Sequence, residues 1–180
     1  MIQGKKVRLR AIEREDIPRF VRWLNDQELV RYLARYMPLS KAEEERWFER
    51  QLEDESGRVF AIETREGVHI GNIGLHRIDW KNSHAELGIF IGEKDYWDQG
   101  YGTDAILTLL DFAFNEMNLH RVYLHVLAFN QRAIRCYEKC GFILEGTERE
   151  AVFQGGRYHD HLIMGLLRQE FNSRVKEPRD

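Results

Sequence analysis

Trp97-Asp98-Gln99-Gly100-Tyr101-Gly102-Thr103-Asp104-Ala105 opens a helical pattern whose apolar stripe is Ile106, Leu109, Leu110, Ala113 and Met117. Three readings compete for it. As G-x-G-x-x-A it fits a dinucleotide-binding turn, which wants the first strand of a parallel βαβ unit and an acid about 20 residues on for the ribose. Here the loop follows hairpin-like runs, and that distance lands on His120-Arg121. A plain turn before a helix accounts for one glycine but less readily for two. In the third reading, the two glycines let the backbone approach a pyrophosphate. The N–H groups of Gly100, Tyr101, Gly102, Thr103 and Asp104 then point at it from a helix amino end, whose partial positive charge makes a cationic side chain unnecessary.

Upstream, Lys6–Arg10 reads as a first strand. Ile17, Phe20, Val21 and Leu24 recur at helical spacing behind Glu15 and Asp16. A second helix is predicted after Ser40, carrying Trp47, Phe48 and Leu52 and ending at Ser56-Gly57. Val59–Thr64 and Val68–Ile78 flank a turn at Glu66-Gly67, and a turn at Lys81-Asn82-Ser83 leads into His84–Gly92. In that run Ala85, Leu87, Ile89 and Ile91 alternate with Glu86, Gly88, Phe90 and Gly92. Downstream come a strand (Arg121–Leu127), a short helix (Asn130–Lys139), the start of a strand at Gly141-Phe142, and a last strand (His159–Leu167). Hairpins combined with two crossover helices predict an α/β (α+β) fold, a mixed sheet flanked by helices.

The 180 residues, 43% of them hydrophobic, suit one domain spanning 1–180. A net charge of −3 with 32% charged residues offers no basic field for nucleic acid or an anionic membrane. No window approaches the roughly 20 apolar residues of a membrane span. No signal-peptide core follows Lys5 and Lys6. Cys136 and Cys140, four apart in a helical pattern, read as reduced thiols. A cytoplasmic protein is predicted, with homodimerisation left open.

Thirty residues beyond the loop, Asn130-Gln131-Arg132-Ala133-Ile134-Arg135-Cys136-Tyr137-Glu138-Lys139-Cys140-Gly141-Phe142 has the form N-x-x-A-x-x-x-Y-x-K-x-G-F. With the glycine loop, this closely resembles the GNAT superfamily of acyl-coenzyme A N-acyltransferases. The opening Val7-Arg8-Leu9-Arg10 with Glu15-Asp16, Ala85-Glu86-Leu87-Gly88, Tyr96-Trp97, Leu119 to Val126 and Gly156-Arg157-Tyr158-His159-Asp160 bring it nearest the ribosomal-protein alanine and spermidine acetyltransferase branch. The resemblance implies a mostly antiparallel sheet in which the strands His84–Gly92 and Arg121–Leu127 splay, with acetyl-coenzyme A (acetyl-CoA) wedged between them. Cofactor-binding residues are then Ile89, Phe90, Ile91, Gln99, Gly100, Tyr101, Gly102, Thr103, Asp104, Asn130 and Tyr137. Many members open the loop with Arg or Gln where this chain has Trp97.

The implied reaction is direct attack of an amine on the thioester in a ternary complex. An amine with pKa of about 10 must lose a proton at neutral pH. Glu86 is the candidate base, directly or through water, or else a substrate-binding carboxylate. Tyr137 is the expected acid toward the departing thiolate, or a hydrogen bond that stabilises it. Backbone N–H groups near Ile89 to Ile91 would meet the oxyanion. Asn130 would contact the coenzyme and is also a plausible N-cap. The histidines, His120, His125, His159 and His161 among them, lack metal-site spacing and read as polar or packed, so no metal is expected. Glu43-Glu44-Glu45 reads as a solvated helix face. The acceptor stays open between a peptide amino terminus, a polyamine and another small amine; Arg31 to Pro38 is aromatic and basic, unlike a paired-acid polyamine segment. The alternative function is an idle acyl-coenzyme A-binding or sensing module.

Overall fold

Alternating apolar residues make strands of the chain's middle and end, and the computed structural model joins them in one sheet. It describes residues 1–33 and 35–176, the last three as backbone only; Ala34, within the basic and aromatic stretch 31–38, lies outside the described residues. The strands are β1 (Ile2–Gln3), β2 (Val7–Ala11), β3 (Arg58–Thr64), β4 (His69–Asp79), β5 (His84–Ile91), β6 (Arg121–Leu127), β7 (Ile143–Gln154) and β8 (Arg157–Leu167). Their order is β1-β2-β3-β4-β5-β6-β8-β7. Every neighbouring pair is antiparallel except β5 and β6. The fold is thus the expected mixed, mostly antiparallel one flanked by helices.

The helices are α1 (Ile17–Leu24), α2 (Gln27–Val30), α3 (Lys41–Glu53), α4 (Tyr101–Asn115), α5 (Gln131–Cys140) and α6 (Arg168–Lys176). Ser40 starts α3 through a reciprocal cap: its hydroxyl accepts the Glu43 N–H, and the Glu43 carboxylate accepts the Ser40 N–H at 2.8 Å. The helix ends at Glu53, short of Ser56-Gly57. Leu52, in its last turn, stays 62% exposed instead of packing with Trp47 and Phe48. The long β7 was visible in sequence only at its start. It is an edge strand exposed along most of its length, so nothing selects apolar alternation there.

α4 and α5 cover one face of the sheet, where Ile106, Leu109, Leu110 and Ile134 meet Leu75, Ala85, Leu87, Val122 and Leu124. On the other face Phe20 and Trp23 of α1 and Leu29 of α2 form a second cluster with Trp47, Phe90 and Trp97. Between the layers β5 and β6 pair only at His84↔Arg121, Ala85↔Val122 and Glu86↔Tyr123. Beyond Glu86 they part, as the family resemblance implies.

Candidate active site

The divergence opens a cleft of about 670 Å³ reaching from the amino end of α4 to the α1–α3 side of the sheet. Gly100 caps α4 with φ +82°, a left-handed conformation glycine adopts without strain. A Cβ on Gly102 would meet nothing nearer than Ile91 Cγ1 at 3.9 Å, so the loop presents bare backbone to the cleft. The N–H groups of Tyr101, Gly102 and Thr103 begin the helix without helical partners, which suits a phosphate. The Asp104 N–H differs from expectation, because it already bonds the Gly100 carbonyl at 3.0 Å. The Asp104 carboxylate turns away and accepts the N–H groups of Lys5, Lys6 and Val7 at 3.2, 2.7 and 3.0 Å. Gln99 and Tyr101 likewise shape the loop from outside the cleft. Lys6 Nζ donates to the Gln99 carbonyl at 2.9 Å, the Gln99 amide donates to the Asp95 carbonyl, and the Tyr101 ring packs on Tyr96.

Strand alternation sets which backbone groups face the gap. The Ser83 carbonyl accepts the His120 and Arg121 N–H groups on the β6 side, whereas the Gly92 N–H bonds Ile70 on the β4 side. Ile89 and Ile91 share the parity of Ser83 and so direct their backbone into the opened wedge, while Phe90 directs its own toward β4. The Trp97 indole N–H donates to the Ile91 carbonyl at 2.8 Å, tying the loop to the strand whose neighbour has peeled away. Across the gap Asn130 is buried, and its Oδ1 accepts the Ala133 N–H at 3.2 Å as the N-cap of α5.

Tyr137 lines the cleft from α5 and is 8% exposed. Burial, with the nearby Cys136 and Cys140 thiols, pushes its phenol well above the usual range. It is therefore held as an O–H donor, better suited to stabilising a thiolate than to giving it a proton outright. One residue back, the Cys136 thiol lies 3.3 Å from the Thr103 hydroxyl in the loop. The Cys140 thiol, outweighing burial, together with Thr103 and the Lys139 charge lowers Cys136 to about 7. Neither cysteine is in a disulfide.

Glu86 lines the cleft but does not stand alone. Its Oε1 lies 2.7 Å from His125 Nδ1, and its Oε2 accepts from Arg77 Nη1 at 2.5 Å. The His125 ring lies against that of His161, centroids 5.1 Å apart. Reading these histidines as unrelated polar residues missed this association, because the register that joins four strands is not a local property. Glu44, read as solvated, is 5% exposed and lines the same cleft. Its position four residues before the buried Phe48 was the available signal. Arg132, Arg135 and Lys139 also reach the cleft from α5; Arg132 stacks 3.9 Å from the Trp97 ring centroid. Their i, i+3, i+7 spacing was readable as one face. Among the described residues, no group of three His, Cys, Asp or Glu could hold a metal ion. No described helix is long and apolar enough to cross a membrane.

A glycine loop and a buried tyrosine brought together beside two splayed strands are the features of a coenzyme A-dependent acyltransferase. A family profile described as "Acetyltransferase (GNAT) domain" matches residues 6–143. The spermidine N(1)-acetyltransferase of Vibrio cholerae serotype O1 is 32% identical over 95% of this chain and 98% of its own length. The prophage-derived uncharacterized N-acetyltransferase YokL of Bacillus subtilis is 34% identical over 93% of each chain. The crystal structure of spermidine N-acetyltransferase from Vibrio cholerae in complex with CoA and spermine superposes with a TM-score of 0.88 at 31% identity, covering 93% of this chain and 98% of that one. The chain belongs to the GNAT acetyltransferase family. Its activity is acetyl-CoA-dependent transfer of acetyl to an amine.

Proposed function

We propose that the acceptor is a small amine carrying a second positive charge, of the polyamine class. The observation that carries this reading is Glu44. Its carboxyl is buried in the cleft wall, and burial, opposed by the charges of Arg35 and Arg50, holds it above its usual range. No hydrogen bond or ion pair engages it among the described residues, although Arg35 lines the same cleft. A buried carboxylate without a partner is costly, and an ammonium group is the partner it lacks. The similarity to spermidine acetyltransferases supports the same acceptor class.

In this reading the N–H groups of Tyr101 to Thr103 hold the pyrophosphate, with Arg132 and Arg135 adding charge at the rim, and Asn130 flanks the pantetheine. The Ile89 or Ile91 N–H meets the oxyanion. The acceptor gives up one proton on the Glu86 side, its nitrogen bonds the acetyl carbon, the carbon–sulfur bond breaks, and the nitrogen's second proton passes to the leaving sulfur. Tyr137 O–H stabilises the departing thiolate. The chain works as a single cytoplasmic domain, and exposed Ile143 and Leu144 on edge strand β7 favour pairing as a homodimer.

The test is release of free coenzyme A thiol across a panel of polyamines, monoamines and peptides with free amino termini. Polyamines should give the highest kcat/KM, and Glu44→Gln should raise their KM while leaving acetyl-CoA affinity unchanged. A preference for peptides or monoamines that Glu44→Gln leaves intact would overturn the assignment.

A further inference from the structure

We propose that His125, held by Glu86 and backed by His161, takes the proton from the acceptor ammonium, so that Glu86 acts through His125 as its positioning residue. The inference rests on the acetyl-transfer reading of the cleft. Both oxygens of Glu86 are engaged, one with His125 Nδ1 at 2.7 Å and the other with Arg77 Nη1 at 2.5 Å. A neutral imidazole that donates from Nδ1 presents a lone pair on Nε2, which orders one tautomer for accepting a proton. Glu86, His125 and His161 all line the cleft.

The surroundings of His125 suit a charge that comes and goes. From β5 it faces Glu86, and Arg77 reaches the same carboxylate from β4. On its own strand, the Tyr123 ring packs edge-on at 5.9 Å. From β8 His161 lies beside it, and from β7 Glu148 Oε2 stands 3.7 Å from His161 Nδ1. His76 of β4 lies within the field of Glu86. Burial first, and then His125, hold His161 below the usual histidine range against the pull of Glu148 and Glu86. His161 is therefore neutral near pH 7, and a proton arriving on His125 meets no like charge beside it. The balance is simple: one ammonium proton passes to His125 Nε2, the amine nitrogen attacks the acetyl carbon, the carbon–sulfur bond breaks, and the second proton that the nitrogen sheds in becoming an amide goes to the departing thiolate, giving free thiol. His125 then returns its proton to solvent on the side where His161 and Glu148 reach the surface.

The experiment is a double-mutant cycle over pH with acetyl-CoA and a polyamine. His125→Gln should lower kcat by about 100-fold or more near pH 7, with the deficit shrinking toward the amine's own pKa of about 10. Glu86→Gln should lose less, and the double variant should be no slower than His125→Gln alone. Added imidazole should restore part of the rate of His125→Ala, which a structural role would not allow. Acetyl-CoA affinity and melting temperature report folding, and His125→Asn, which keeps a donor toward Glu86, replaces any variant that melts early. Losses that multiply independently, or a His125→Gln enzyme with the wild-type pH profile, would overturn the proposal. A wild-type chain that releases no thiol with any amine would instead remove the transferase reading on which it rests.

Discussion

His125 Nδ1 lies 2.7 Å from Glu86 Oε1, joining two residues 39 apart on strands that stop pairing at Glu86 itself. The contact sits at the apex of the wedge. Whatever enters between β5 and β6 from the loop side therefore meets a carboxylate–imidazole pair at the far end of the gap, with Tyr137 on α5 lining the same cleft.

Tyr137→Phe keeps the ring, which packs 6.0 Å from Phe142, and removes only the hydroxyl. Turnover should fall by about 10–1000-fold, the span expected of one oriented donor or proton transfer. Acetyl-CoA affinity, measured by calorimetry, should be unchanged. Full activity in this variant would take Tyr137 out of the chemistry.

Gly102→Val adds a branched side chain where only Ile91 stands near. The fold should tolerate it, with a melting temperature close to wild type, while the dissociation constant for acetyl-CoA rises by about 100-fold or more as the pyrophosphate is displaced. Unchanged affinity in a folded Gly102→Val chain would refute the cradle.

Arg132 stacks on Trp97, beside the loop, and also over Tyr32 at 5.4 Å. Arg132→Ala should weaken acetyl-CoA binding by about tenfold and flatten its dependence on salt, as expected when one charge near a phosphate is lost. A salt dependence equal to that of wild type would assign Arg132 to packing alone.

Cys136, lowered to about 7, carries substantial thiolate at neutral pH and lines the cleft. Iodoacetamide should therefore modify it faster than an ordinary thiol, with acetyl-CoA protecting it and the modified chain inactive. Peptide mapping after timed labelling reads both effects; labelling indifferent to acetyl-CoA would place the thiol outside the occupied volume.

Asp16 is buried, and burial alone would push its carboxyl up. Bonds from Arg10 at 2.7 and 2.8 Å, from His69 at 3.0 Å and from the Glu13 N–H at 2.9 Å outweigh this and hold it well below the usual range. A carboxyl depressed in the fold stabilises above its unfolded value and loses that contribution as pH falls. Unfolding free energy should therefore drop below about pH 4. Asp16→Ala should cost about 1–3 kcal/mol, because Arg10 and His69 lose one shared acceptor while Arg10 keeps Glu63 and His69 keeps Asn72. It should also remove most of the acid-sensitive step in denaturant titrations.

Residue order alone determined whatever lies within one element or one turn. Gly100 and Gly102 at the start of α4, the Asn130 cap, and Tyr137 seven residues into α5 follow from helix-end geometry and the 3.6-residue period, which need no distant partner. The strands β5 and β6 were equally plain because buried strands must alternate. The edge strand β7, largely solvent-exposed, carried no such signal. Tertiary structure decided the rest. The turning of Asp104 toward Lys5–Val7 depends on contacts across most of the chain. The insertion of β8 between β6 and β7, which sets His161 beside His125, depends on sheet order. So does the packing of α3, which carries Glu44 into the cleft wall. Strand order and register are selected by burying whole faces of the sheet at once, and a one-residue slip of β6 or β8 would turn His125 or His161 to the opposite face.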